Sequence, residues 1–166
     1  MAQAGDIKDW GDFNIEKEDL DLIKNTLSEG KNVIIVGRVG TGKTSFIDRV
    51  AQHMHDYSFI ALCEMGNCYK SKNVVDIKDI ETQTDIGYFV SKATDSLICL
   101  IDGLHHIDDV DKHIKENKSD SVGLLYTTYD ERYANKFLED GSLIVELCLD
   151  ITRETTDKYK YRVHIV

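Results

Sequence analysis

The stretch that most restricts the fold is Lys-Asn-Val-Ile-Ile-Val-Gly-Arg-Val-Gly-Thr-Gly-Lys-Thr-Ser-Phe, from Lys31 to Phe46. It opens on Val33-Ile34-Ile35-Val36, an unbroken β-branched run suited to a strand buried on both faces. It ends in Ser45 to His55, where Phe46, Ile47, Val50, Ala51 and Met54 recur at helical spacing. Between them stands G-x-x-x-x-G-K-T, with Gly37, Gly42, Lys43 and Thr44 at the fixed positions. At average residue frequencies such a match arises by chance in roughly one chain of this length in a few hundred. The flanking strand and helix therefore decide, and both are of the required kind for a phosphate-binding loop.

The chemistry explains the residue types. A phosphate chain must be wrapped by donors, and backbone N–H groups can approach it where glycine keeps side chains away. The loop residues expected around such a ligand are Gly37, Arg38, Val39, Gly40, Thr41, Gly42, Lys43, Thr44 and Ser45. A helix that begins at the loop adds its free N–H groups and the positive end of its dipole. Lys43 supplies a mobile charge for the β- and γ-phosphates, and Thr44 a hydroxyl for Mg²⁺.

Beyond this segment, strands and helices alternate. Asn14 is a candidate cap for a first helix with Leu20, Ile23 and Leu27 on its apolar face and Gly30 at its end. Residues 1–13 are small, acidic and irregular, with Trp10 and Phe13 able to fold back as anchors. Tyr57 to Cys63 reads as a second strand ending at Glu64. Asn73 to Ile80 fits a short helix or a strand. Thr82 or Thr84 can cap a helix over Ile86, Phe89, Val90 and Ala93.

Ser96 to Ile101 is a third strand with Asp102 at its end, and Ile107, Val110 and Ile114 mark the next helix. Ser121 to Thr128 is a fourth strand, and Asp130 to Leu138 a helix. Ser142 to Asp150 and Tyr159 to Val166 complete the pattern as a hairpin expected at the sheet edge. The expected fold is an α/β three-layer sandwich of the RecA-like phosphate-loop type, in one domain over 1–166. Its sheet is mostly parallel with a C-terminal antiparallel hairpin. Ligands of such sheets bind at the carboxyl ends of the strands, where Gly37, Glu64, Asp102, Thr127 and Thr128 fall.

Composition narrows the function classes. The formal net charge of −10 argues against a sequence-independent grip on nucleic acid. No apolar run reaches membrane-span length and no signal pattern opens the chain, so a cytoplasmic location is expected. Cys63, Cys68, Cys99 and Cys148 lack C-x-x-C spacing and read as free thiols.

Two acids stand out at the ligand edge. Asp102, closing an apolar strand, is expected to hold Mg²⁺ beside Thr44, the other reading being a cap for the next helix. Many such ATPases carry a glutamate directly after this aspartate, a place taken here by Gly103. Glu64 is the alternative general base, against a plain surface role. Thr127 and Thr128 fit either a γ-phosphate sensor or strand filling. His53, His55, His105 and His106 lack metal-ligand spacing. Asn117-Lys118-Ser119-Asp120 has the letters of a guanine-reading motif but precedes a strand, at the wrong sheet edge, and reads as a turn. That leans the nucleotide toward ATP.

The order of elements from about residue 15 onward resembles the ATPase domain of the type II/type IV secretion ATPase family. The phosphate loop carries the resemblance in sequence, with Leu27 to Lys31 ahead of it similar to the family's helix and Gly-Lys entry. Glu64 stands where the family has its acidic box, and Ile101-Asp102 where it has a strand ending in Gly-Glu. Tyr126-Thr127-Thr128-Tyr129 stands where it has Ala-Thr-Leu-His, so the glycine and the histidine are replaced.

The resemblance implies Mg²⁺-dependent ATP binding and hydrolysis in a homo-oligomeric ring or dimer, with secretion or transfer machinery as partner. It also implies a minimal form without the family's N-terminal domain. Lys43 and Glu64 would be catalytic and Thr44 and Asp102 would hold the metal, with Arg132 or Arg153 as candidate donors to a neighbouring site. The alternative is a non-hydrolysing nucleotide module. A small kinase ranks behind both, since no arginine lies between Arg49 and Arg132 to form a lid.

Overall fold

A computed structural model of the chain describes residues 13–38, 40–63, 69–77, 97–102, 116, 123–129, 142–149 and 161–165. In chain order the elements are β1 (Phe13–Asn14), α1 (Lys17–Ser28), β2 (Asn32–Val36), α2 (Lys43–His53), β3 (Ser58–Cys63) and β4 (Val74–Ile77). β5 (Leu97–Asp102), β6 (Leu124–Thr128), β7 (Leu143–Leu149) and β8 (Tyr161–Ile165) follow. They form one eight-stranded sheet in the order β1-β8-β7-β2-β6-β5-β3-β4. Every neighbouring pair is parallel except β7 and β8. This is the mostly parallel sheet with a closing antiparallel pair that the sequence pattern predicts.

Strand alternation divides the sheet into two faces. One face presents Val33, Ile35, Phe59, Ala61, Ile98, Leu100, Leu125, Val145 and Leu147, which share a single core with α1 and α2. Leu20, Ile23 and Leu27 reach it from α1, and Phe46, Ile47, Val50 and Ala51 from α2. The other face presents Ile34, Cys99, Ile101 and Tyr126, which are also buried. Both faces are thus covered, which is why β2 reads as a continuous apolar run. At the start of β6, a Cβ on Gly123 would stand 2.5 Å from the Leu27 carbonyl oxygen, so glycine there lets α1 lie against the strand.

Two local readings change, and one left open is decided. Asn14 lies in β1 and caps no helix. The N-cap of α1 is instead Glu16, whose backbone carbonyl accepts from Leu20 N–H at 3.1 Å, with no side-chain cap. The hairpin is not at the sheet edge either. β1 pairs in parallel with β8, Phe13 opposite Tyr161, and covers it. The edge is held by an aromatic anchor: Phe13 is buried and meets Phe46 of α2 edge-on, ring centroids 5.4 Å apart. Between helix and strand for residues 73–80, the structure has β4 as an edge strand beside β3. Trp10, Cys68 and the helices read over 82–93, 107–115 and 130–138 lie outside the described residues, as do the Asn117–Asp120 turn and His105 and His106; Glu116 is helical.

Candidate phosphate and cation site

The loop after β2 is anchored on both sides. The Gly37 amide donates to the Thr128 carbonyl of β6 at 3.1 Å. Thr41 folds back on Arg38, its amide and hydroxyl both donating to the Arg38 carbonyl, at 3.2 and 2.8 Å. A Cβ on Gly37 would collide with Thr41 Oγ1 and come within 3.1 Å of the Leu147 carbonyl oxygen. Gly40 and Gly42 adopt positive φ, 84° and 78°, a region that L side chains rarely enter. Gly42 is the N-cap of α2, so the helix begins at Lys43 with no side-chain cap on its first N–H groups.

Lys43 Nζ donates to the Gly37 carbonyl at 2.6 Å and the Arg38 carbonyl at 3.0 Å. Burial holds its pKa below 10.5, and the Asp102 carboxylate nearby offsets part of that shift. The ammonium is therefore held over the loop, close to the carboxylate and partly desolvated.

Asp102 ends β5 and is buried. Its carboxylate collects hydroxyls from three different parts of the chain. Thr44 Oγ1 donates to Oδ2 at 2.7 Å, Tyr69 Oη to Oδ2 at 2.9 Å, and Thr127 Oγ1 to Oδ1 at 2.6 Å. The sheet register explains the last of these. Ile101 pairs with Tyr126, so Asp102 and Thr127 are the next neighbours on the same face. That face is the one covered by α2, which brings Thr44 down onto the carboxylate.

A carboxylate and an aliphatic hydroxyl at hydrogen-bond distance, beside a loop rich in backbone donors, are a fitting donor set for Mg²⁺. Hard cations take oxygen ligands, and Mg²⁺ in nucleotide sites is held by one or two protein groups plus phosphates and water. These residues would hold the ion and leave the rest of its coordination to the nucleotide.

Of the expected site residues, the structure brings together Gly37, Arg38, Gly40, Thr41, Gly42, Lys43, Thr44 and Asp102, with Ser45 exposed in the first turn of α2. Val39, Glu64, Arg132 and Arg153 lie outside the described residues. Thr127 and Thr128 are fully buried, one on Asp102 and the other on the Gly37 amide through its carbonyl.

Sequence reasoning missed Tyr69 and Asp48. Asp48 is buried on α2 and accepts from the Lys70 and Ser71 amides and the Ser71 hydroxyl, at 3.0, 3.1 and 2.7 Å. A signal was available: an aspartate four residues after Thr44 lies on the same side of the helix, at the border of its apolar stripe. Asn73 adds a second tie, its side-chain amide donating to the carbonyls of Ala51, Met54 and Tyr57 where α2 ends.

Comparison with known proteins agrees with this geometry. Residues 20–114 match the model of the P-loop containing dynein motor region. Among solved structures, the VirB11 ATPase from the Brucella suis type IV secretion system, solved in complex with sulphate, superposes with a TM-score of 0.55 at 12% identity. The match covers 89% of this chain and 53% of that one, so the chain spans about half the length of that ATPase. At such identity the likeness is one of fold. No curated protein matches the sequence. No helix among the described residues is long and apolar enough to cross a membrane. With more than half of its length under one family model, and that family's phosphate loop placed between a buried strand and a helix, the chain belongs to the family of P-loop containing dynein motor regions.

Proposed function

We propose that the chain binds ATP with Mg²⁺ and hydrolyses it as a cytoplasmic subunit of an oligomeric motor of the secretion or transfer type, over one domain spanning 1–166. The observation that carries this reading is the contact of Thr44 Oγ1 with Asp102 Oδ2 at 2.7 Å, next to Lys43. The loop amides and the start of α2 would receive the phosphates. Lys43 would exchange the Gly37 and Arg38 carbonyls for the β- and γ-phosphates, gaining a charge-assisted partner. The chemistry that Mg²⁺ would supply when bound is neutralisation of phosphate charge. Thr44 and Asp102 would hold the ion from the protein side.

Glu64 is the proposed base for the attacking water. The pairing of β3 with β5 reaches Cys63 and Asp102, which supports a position for residue 64 at the same edge of the sheet. Arg132 and Arg153 are the proposed donors across a subunit boundary of a ring or dimer, where an arginine supplied in trans stabilises the transition-state charge. The similarity in fold to the VirB11 ATPase supports the motor reading. Gly103, directly after Asp102, favours a second reading as a nucleotide-binding module that does not hydrolyse.

Steady-state ATP hydrolysis over a protein concentration series separates the two. Activity per subunit that rises with concentration and is lost in Lys43→Ala and Glu64→Gln supports the motor. Nucleotide binding without hydrolysis at every concentration supports the second reading.

A further inference from the structure

Asp102 Oδ2 accepts two hydroxyls, from Thr44 at 2.7 Å and from Tyr69 at 2.9 Å. The two differ in what they can do toward a cation. Thr44 sits in the first turn of α2 and can keep its proton on Asp102 while turning an oxygen lone pair outward. The phenol oxygen of Tyr69 is a poor ligand for a hard ion that prefers carboxylate, phosphate and water. A cation that reaches Oδ2, directly or through one of its own waters, therefore meets the Tyr69 proton in its way.

We propose that the Tyr69 hydroxyl is an intramolecular competitor for the cation position on Asp102, so that Mg²⁺-nucleotide binding requires it to give way. The inference rests on the nucleotide reading above and extends it to a residue outside the phosphate loop. A buried carboxylate needs donors, and Tyr69 supplies one. Its placement is built by the same helix that carries the loop. Asp48, one turn beyond Thr44, fixes Lys70 and Ser71 through both amides and the Ser71 hydroxyl. Asn73 then ties the segment to the end of α2 just before β4. The ring of Tyr69 packs on the main core, so its hydroxyl is aimed rather than free-swinging. Asp48 is thus a positioning residue that acts through Tyr69, and the segment leading into β4 carries a hydroxyl that senses whether the cation has arrived.

The test uses the full chain and calorimetric titration with ADP, in excess EDTA and in Mg²⁺. The ratio of the two affinities gives the Mg²⁺ enhancement. Tyr69→Phe keeps the ring and removes the proton, and is expected to raise the enhancement by about fivefold, the equivalent of one hydrogen bond no longer opposing the ion. A second readout is ¹⁹F NMR of chain labelled with fluorotyrosine, where the resonance missing in Tyr69→Phe is that of Tyr69. It is expected to shift when Mg²⁺ is added to the ADP complex.

An enhancement that stays the same or falls in Tyr69→Phe overturns the proposal, as does a Tyr69 resonance that does not move. If the wild-type chain binds ADP in neither condition, the nucleotide reading itself fails and this inference with it. Binding in EDTA with an unaltered enhancement overturns the Tyr69 inference alone.

Discussion

Thr44 and Asp102 lie 58 positions apart in the chain, and their side-chain oxygens meet at 2.7 Å. The contact joins the first turn of α2 to the end of β5, with β6 lying between β5 and the β2 strand that feeds the loop. Asp102→Asn keeps the size of the side chain and removes its charge. It is expected to abolish most of the Mg²⁺ enhancement of nucleotide binding while leaving affinity in EDTA within about twofold. Calorimetric titration in the two conditions checks this, and an enhancement equal to wild type would remove Asp102 from the cation site.

Lys43 gives the site a pH dependence. Burial lowers its pKa below 10.5, so the folded chain releases that proton at lower pH than the unfolded chain does. Between the lowered value and 10.5 the unfolded state binds more protons, and the Lys43 contribution to stability rises with pH. Nucleotide binding moves the opposite way, because phosphates need the ammonium. Affinity is therefore expected to fall as pH climbs through the lowered pKa, with proton uptake on binding in that window. Titrations in buffers of different ionisation enthalpy measure the uptake. Lys43→Arg, charged throughout, should remove it.

Much of this fold was legible because its strongest elements are local. Val33 to Val36 and Leu97 to Ile101 read as buried strands from composition alone, and Gly37 to Thr44 names its own chemistry. The features that escaped are those in which a side chain serves a distant partner. β1 is a two-residue strand whose pairing depends on β8, almost the whole chain away, so no periodicity announces it. Tyr69 stands in a polar stretch with no pattern, and its partner Asp102 is 33 positions on. Thr127 looked equally suited to strand filling, and only the register of β5 against β6 places it on Asp102.

Asp48 should matter for stability out of proportion to its position on a helix. Asp48→Ala leaves the Lys70 and Ser71 amides without their acceptor, while the Ser71 hydroxyl keeps the Asp48 backbone carbonyl at 2.9 Å. Each buried donor left unsatisfied costs about 1–3 kcal/mol, reduced where water can enter. A loss of about 2–4 kcal/mol is expected in denaturant unfolding. Asp48→Asn retains a carbonyl oxygen at the same place and should lose less than half as much. Equal losses would mean that the carboxylate charge, not its acceptor geometry, holds the segment.

Of the three loop glycines, Gly37 and Gly40 should respond differently to alanine. At Gly40 an added Cβ meets nothing within 4 Å, so the cost is the positive φ alone, about 1–2 kcal/mol. At Gly37 the Cβ meets Thr41 Oγ1 and the Leu147 carbonyl, which forces the loop to move. Gly37→Ala is expected to weaken nucleotide binding more than tenfold, and Gly40→Ala less. Binding curves for the two variants rank them, and the reverse order would show that the loop is shaped by φ rather than by contact.

Gly123 offers a control away from the phosphates. A Cβ there would press on the Leu27 carbonyl group, backbone against backbone, where α1 ends over the start of β6. Neither side can turn a rotamer to escape, so α1 must shift on the sheet. Overpacking of this kind costs about 1–3 kcal/mol. Gly123→Ala is expected to lower Tm by several degrees, roughly 2–12 °C for a chain of this size. Its nucleotide affinity should match wild type below the transition, because β6 meets the loop at its other end, through Thr128. Thermal unfolding with a parallel titration checks both parts. A loss of affinity equal to that of Gly37→Ala would mean that the seating of α1 is transmitted along β6 to the loop, and that the site depends on the whole face rather than on its own anchors.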